Sequence, residues 1–279
     1  MELTGEEELV EHLVEFYDRV APEYESWAGG LHGKVAAKLV EVASPSRGKA
    51  VLDVGCGTGL VTHLVAASVG ARGSVVGIDL SARMLNLARR RSRKNTTFMA
   101  MAAERMVFRE GSFDLITYGQ SLPYLMDPFA SLGEAARLLR PGGRVALSLH
   151  RRSLQTEAQD LFYRVLGDLA ARHHLRVPEH SPERSAYGER ENLPRLLDEL
   201  GFGDVRMTEM VTGGRVRTPR EWTDLMGGSG PLPNTLIRVL GPRLRAEFEA
   251  ELADRMKELG EDAFRYHFAF IFAVAVLGP

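Results

Sequence analysis

The sequence predicts an α/β protein whose mostly parallel sheet carries helices on both faces. Three observations point there. From Ala50 to Leu149, short apolar runs alternate with stretches of helical periodicity. The runs are apolar throughout, the pattern of strands covered on both sides. A glycine-rich turn, Gly55-Cys56-Gly57-Thr58-Gly59, joins the first strand to the next helix, where such sheets meet their ligands.

Taken in order, residues 6–20 set Leu9, Val10, Leu13, Val14, Phe16 and Tyr17 at helical spacing with acids opposite. Pro22 opens a turn or short helix that Gly29-Gly30 interrupts, and residues 33–42 resume the helical pattern until Ser44-Pro45-Ser46-Arg47-Gly48 ends it. Ala50–Val54 is the first strand and Leu60–Val69 the helix after the glycines. Residues 74–78 form a second strand closing on Asp79, followed by a helix over 81–93. Strands are expected at 97–100, 113–118 and 144–149, with a helix over 128–139 and a turn at Pro141-Gly142-Gly143. Beyond His150 the alternation stops. Helices are expected over 154–173, 192–200, Pro219–Gly227 and 234–259, the last broken near Gly241-Pro242, and strands over 204–211 and 264–277. Segments 151–188 and 217–260 thus read as helical additions that cover a pocket.

The chain has 279 residues, 44% hydrophobic and 26% charged, with a net charge of −2. That near-neutral balance lacks the basic footprint of nucleic-acid binding, and the arginine-rich run at 89–94 reads as a solvated helix end. Cys56 stands alone, so no internal disulfide forms, which suits a reducing cytoplasm. The N-terminus is acidic and amphipathic rather than basic then apolar, unlike a signal peptide. The longest apolar run, 267–277, is far shorter than the ~20 residues of a membrane span. A cytoplasmic protein without a membrane span is expected.

The glycine turn argues against two ligand classes. A dinucleotide fingerprint requires Gly-x-Gly-x-x-Gly, with pyrophosphate on the helix N-terminus. Here the third glycine, Gly59, comes one position early, and Leu60 stands where it should be. The Gly-Lys-Ser/Thr ending of a nucleotide-phosphate loop is also absent. Asp79, at the tip of the second strand, is placed to accept both hydroxyls of a ribose. Asp53, just before the glycines, is placed to hold a cationic amino group, directly or through water. A ribose and an ammonium without phosphate describe S-adenosylmethionine.

The segments VLDVGCGTGL, VVGIDLSARML, GSFDLITYGQSLPYLMDP and LLRPGGRVALSL occur in the order and spacing of the class I S-adenosylmethionine-dependent methyltransferases, and over residues 50–150 the chain resembles that family. The stretch 118–127 and the tail look most like its small-molecule branch, related to ubiquinone and menaquinone methyltransferases. The resemblance implies a Rossmann-like seven-stranded sheet, mostly parallel with an antiparallel last strand. It implies one domain over 1–279: an N-terminal helical lid at 1–48, a cofactor-binding core at 49–150, and at 151–279 the rest of the sheet with a helical substrate cap. It places Asp53, Gly55, Cys56 and Gly57 around the methionine part, Asp79 on the ribose, and Leu80 and Met84 beside the adenine or ribose. Family members often carry Gly-Asp-Ala after the third strand, its Asp bonding the adenine amine. This chain has Ala102 at that position, so the backbone of Ala103 or the side chain of Glu104 takes that part, or adenine is held more weakly.

Methyl transfer is an in-line displacement in which the cofactor carries the activated group. The protein aligns the acceptor and excludes water, and a base is needed only where the acceptor must lose a proton. Residues 118–124 should face the methyl group: Gln120 as a contact to the cofactor's amino-acid part, Tyr124 either positioning the acceptor or packing in the core. His150, at the tip of the fifth strand, is the best-placed histidine for a base, or else a satisfied strand-end residue. Tyr24, and after it Tyr17, match a tyrosine that in relatives reaches over the cofactor, or else pack their helix onto the sheet. Trp222 either braces the cover or touches the acceptor. His173, His174 and His180 have no acids or cysteines at ligand spacing, so no metal site is expected.

The expected activity is methyl transfer to O or C of a small, partly apolar organic acceptor, by a monomer or homodimer. Two alternatives share the scaffold: a cofactor-binding cyclase or rearrangement enzyme, and a non-catalytic binding subunit. A dehydrogenase follows from fold alone, and the glycine spacing opposes it.

Overall fold

The computed structural model describes residues 5–175 and 192–278; His180 lies outside them. The chain divides into two compact units, residues 1–150, 183–210 and 270–279 in one, and residues 151–182 and 211–269 in the other.

Helix α1 (Gly5–Val20) and helix α2 (Trp27–Ala43) precede the sheet. Then follow β1 (Ala50–Val54), α3 (Leu60–Val69), β2 (Ser74–Asp79), α4 (Ala82–Arg90), β3 (Thr96–Ala100), β4 (Phe113–Gly119), α5 (Pro128–Leu138) and β5 (Leu139–His150). After His150 come α6 (Glu157–Arg172), α7 (Leu193–Glu199), β6 (Phe202–Arg215), α8 (Pro219–Gly227), α9 (Pro231–Val239), α10 (Gly241–Met256) and β7 (Arg265–Leu277). The seven strands lie in the order β3-β2-β1-β4-β5-β7-β6. The pairings of β1 with β2 and β4, of β2 with β3 and of β4 with β5 are parallel, and β7 runs antiparallel to β5. This is the mostly parallel, seven-stranded Rossmann-like sheet the sequence implied.

The strand order has a direct consequence. Chain direction reverses its winding between β1 and β4, which are neighbours although β2 and β3 intervene in sequence. Ligands of open α/β sheets bind beyond the carboxyl ends of the strands at such a switch point. In the first unit, Leu52, Val54, Ile116, Tyr118, Leu147 and Leu149 are fully buried in one core with residues of α5 and α7. In the second unit, Phe162, Leu166, Trp222, Phe248 and Leu252 form a separate core built by α6, α8 and α10.

Several boundaries differ from the sequence reading, each for a local reason. The helix expected from 154 starts at Glu157, because Thr156 caps it: its hydroxyl accepts the Gln159 N–H, and the Gln159 side chain accepts from the Thr156 N–H. The helix expected over 234–259 starts earlier, at Pro231, and forms α9 and α10 about the expected break at Gly241-Pro242, followed by a 3-10 segment over Lys257–Asp262. Gly241, at φ +61, turns the chain between the first two. The turn expected at Pro141-Gly142-Gly143 lies inside β5, where Leu139 already pairs with Phe113 and the register shifts before Leu115 meets Arg144.

Candidate active site

The glycine turn takes its shape from left-handed backbone at Gly55, Gly57 and Gly59, with φ of +66, +53 and +84. At Gly55 the demand is twofold, since an added Cβ would also lie 2.4 Å from Ser121 Cβ. The turn is fastened to β2. The Cys56 N–H donates to the Ile78 carbonyl at 2.9 Å, and the Gly57 N–H donates to Asp79 Oδ2 at 2.8 Å. The other oxygen, Asp79 Oδ1, accepts the Ser81 N–H at 2.8 Å. One lone pair on each carboxylate oxygen is therefore committed, and a carboxylate has about four acceptor positions in all.

Asp53 is buried at the end of β1, with its oxygens accepting the hydroxyls of Thr62 at 2.6 Å and Thr117 at 2.8 Å. Burial pushes its pKa up to about 6, against the lowering effect of the two hydroxyls. Burial likewise raises Asp79 above the usual carboxylate range, partly offset by the N–H donors of Ser81 and Gly57.

Two cavities open at this sheet end. The larger, about 820 Å³ including its mouth, is lined by Gly55, Gly57, Asp79, Leu80, Met84, Ala103, Glu104 and Gln120, together with Tyr17, Tyr24 and Tyr124. Helix α1 adds Val10, Leu13 and Val14, and Met101, Leu125 and Met126 complete an apolar wall. The smaller, about 410 Å³, is lined by Tyr24, Asp53, Gly55, Cys56, Gly57 and Gln120, and also by His32, Thr58 and Ser148. One buried polar atom on its wall, Gln120 Nε2, has no hydrogen-bond partner among the described residues. Buried donors and acceptors without partners are costly, so this wall fits a ligand that brings polar groups.

The cavities bring most of the sequence-derived candidates together. Gln120 is held in a left-handed conformation (φ +63), its N–H donating to Ser148 O and Oγ, both at 3.1 Å. Glu104 lines the larger cavity, but its Oε1 accepts the Met126 N–H at 2.8 Å, so it also pins the segment after β4. Tyr17 meets Tyr24 and Tyr124 edge-on, at centroid distances of 6.4 and 5.8 Å. Burial raises the phenol pKa of Tyr17 and Tyr24 well above the ordinary value, so both keep their protons through the neutral range.

His150 is placed differently. Its ring packs 5.4 Å from that of Phe270, and it lines neither cavity. Trp222 is fully buried in the core of the second unit, against Phe264 and Tyr266. Among the described residues no cluster of His, Cys, Asp and Glu could hold a metal, and no helix is long and apolar enough to cross a membrane. The sequence reading missed His32, Thr58 and Ser148. Thr58 sits inside the glycine motif and could have been found there; His32 and Ser148 reach the site only through tertiary packing.

Comparison with known proteins agrees with this geometry. Residues 52–147 match the family model described as a methyltransferase domain. The chain is 32% identical over 140 residues to the aklanonic acid methyltransferase DauC of Streptomyces sp. (strain C5), a match spanning 49% of this chain and 64% of that protein. It is 30% identical over 219 residues to the 2-phytyl-1,4-naphtoquinone methyltransferase of Thermosynechococcus vestitus, spanning 76% of this chain and 96% of the relative. Among solved structures, a Haemonchus contortus phosphoethanolamine N-methyltransferase 2 shares the fold, at 17% identity and a TM-score of 0.60, over 100% of this chain and 61% of that one.

The chain belongs to the class I S-adenosylmethionine-dependent methyltransferases, and S-adenosylmethionine is its cofactor. It is similar in sequence to methyltransferases of ubiquinone and menaquinone biosynthesis.

Proposed function

We propose that the protein transfers the methyl group of S-adenosylmethionine to O or C of a small, partly apolar acceptor of the quinone or polyketide kind. The observation that carries the site assignment is the Asp79 carboxylate, fixed by the Gly57 and Ser81 N–H groups on the wall of the larger cavity. Its remaining lone pairs accept the two ribose hydroxyls. Leu80, Met84 and Ala103 flank the adenine, and Gln120 and Thr58 meet the amino-acid end from the smaller cavity, with Asp53 behind them.

When bound, the cofactor supplies a methyl group already activated on a sulfonium. The chain's part is placement. Tyr17, Tyr24 and Tyr124 face the acceptor, their hydroxyls able to donate hydrogen bonds to an acceptor oxygen. Val10, Leu13, Val14 and Met126 hold its apolar body and keep water away, which strengthens every polar contact inside. His150 has no place in this scheme. We take the protein to act in the cytoplasm, as a monomer or homodimer without nucleic acid.

The test is calorimetric titration with S-adenosylmethionine, followed by incubation with demethylated naphthoquinols and aromatic polyketide acids. Formation of S-adenosylhomocysteine together with a methylated acceptor supports the reading. Cofactor binding with turnover that yields no S-adenosylhomocysteine would instead favour a cyclase or rearrangement.

A further inference from the structure

A run of five aromatic rings crosses from the smaller cavity to the larger, and its fixed point is a histidine that no motif marks. His32 stacks on Tyr24 with centroids 4.0 Å apart and planes 6° from parallel, and it also meets Trp27 at 5.1 Å and 29°. Tyr24 then meets Tyr17, and Tyr17 meets Tyr124, both edge-on. Tyr24 lines both cavities, whereas His32 lines only the smaller one, beside Asp53, Thr58 and Gln120.

The local backbone builds this arrangement. Ala28, Gly29 and Gly30 are all left-handed, at φ 47, 66 and 78, and interrupt the start of α2. The Trp27 N–H still bonds the Glu23 carbonyl at 3.1 Å, so the chain coils back on itself. The left-handed stretch accompanies the stacking of the His32 ring on Tyr24, which lies eight residues, more than two helical turns, before it in sequence. Burial lowers the imidazole pKa to about 4, leaving an uncharged ring at neutral pH. An uncharged ring is the form compatible with a cationic cofactor close by.

We propose that His32 is a positioning residue for methyl transfer: by stacking, it fixes the Tyr24 ring where the amino-acid end of the cofactor meets the methyl-bearing end. The proposal rests on the cofactor reading given above. It assigns His32 no proton transfer. What it supplies is a flat, uncharged surface that removes the rotational freedom of Tyr24, and through Tyr24 it keeps Tyr17 and Tyr124 in register.

The experiment compares His32→Ala, His32→Phe and His32→Asn. Affinity is measured by calorimetry for S-adenosylmethionine and for 5′-methylthioadenosine, which keeps the nucleoside and sulfur but lacks the amino-acid end. His32→Ala removes one aromatic pair and should weaken S-adenosylmethionine by about twofold to tenfold. Methylthioadenosine should bind the same variant as it binds the wild type. His32→Phe restores the surface and should return S-adenosylmethionine affinity to near wild type, while His32→Asn should not. If His32→Ala fails to fold, the Phe and Asn variants carry the same comparison. Equal loss of both ligands in His32→Ala, unchanged cofactor affinity, or failure of Phe to restore it overturns the proposal. A wild-type protein that binds neither ligand removes the cofactor reading itself.

Discussion

Gly57 and Asp79 are joined by a 2.8 Å hydrogen bond from the glycine N–H to the carboxylate. The turn after β1 and the acid ending β2 therefore form one unit before any ligand arrives. Such preorganisation reduces the ordering cost of binding.

Asp79→Ala should weaken S-adenosylmethionine by about tenfold to a hundredfold, the worth of one or two charge-assisted hydrogen bonds. It should also loosen the turn, since the Gly57 and Ser81 N–H groups lose their acceptor. Calorimetry checks the affinity; a near-wild-type value would move the ribose elsewhere.

Gly55→Ala and Gly57→Ala separate fold from binding. Both positions are left-handed, but a Cβ on Gly55 meets Ser121 whereas one on Gly57 meets nothing within 4 Å. Thermal melts should show Gly55→Ala losing on the order of 3 kcal/mol or more, and Gly57→Ala about 1. Because Gly57 borders both cavities, its variant should nonetheless lose cofactor affinity.

Asp53 gives a pH signature. Its folded pKa, about 6, lies above the value in an unfolded chain because burial disfavours the charged form. The folded state then holds a proton that the unfolded state has released, so Asp53 costs stability as pH rises from about 4 to 6, and the full cost remains above that. Asp53→Asn should raise the melting temperature at pH 7.5, where about two pKa units correspond to about 3 kcal/mol, and the gain should shrink towards pH 4. A gain that is equal at both pH values would show that the carboxylate is not under this strain.

His150 and Tyr124 should part company in kinetics. His150→Gln should leave kcat/KM within about threefold, because its ring packs on Phe270 away from both cavities. Tyr124→Phe should lower kcat about tenfold while cofactor affinity holds, the expected loss of one positioned hydrogen bond. Steady-state rates with a methylated product standard decide between them.

The sequence was most informative where one local rule governs. Ala50–Val54, Leu60–Val69 and Pro219–Gly227 were read with the bounds the structure has, because apolar runs or a Thr-Pro start define them alone. Asp53, Gly55, Gly57, Asp79 and Gln120 follow from one turn and the strand ends beside it. The rest depends on distant packing. Pro141-Gly142-Gly143 reads as a turn, yet pairing of Leu139 with Phe113 draws it into β5. His32 looks like any helical histidine until Ala28, Gly29 and Gly30 turn it against Tyr24. His150, at a strand tip, reads as a base or a satisfied strand-end residue; its ring packing 5.4 Å from that of Phe270 depends on a strand distant in sequence.

Cys56 adds a practical consequence. It is the chain's one cysteine, buried in the glycine turn with Leu85, Ala88 and Phe98. Burial raises its thiol pKa well above the ordinary value, so little thiolate exists while the turn is closed. Alkylation of the native protein thus serves as a clock for opening of the glycine turn, with no second thiol to confuse the count.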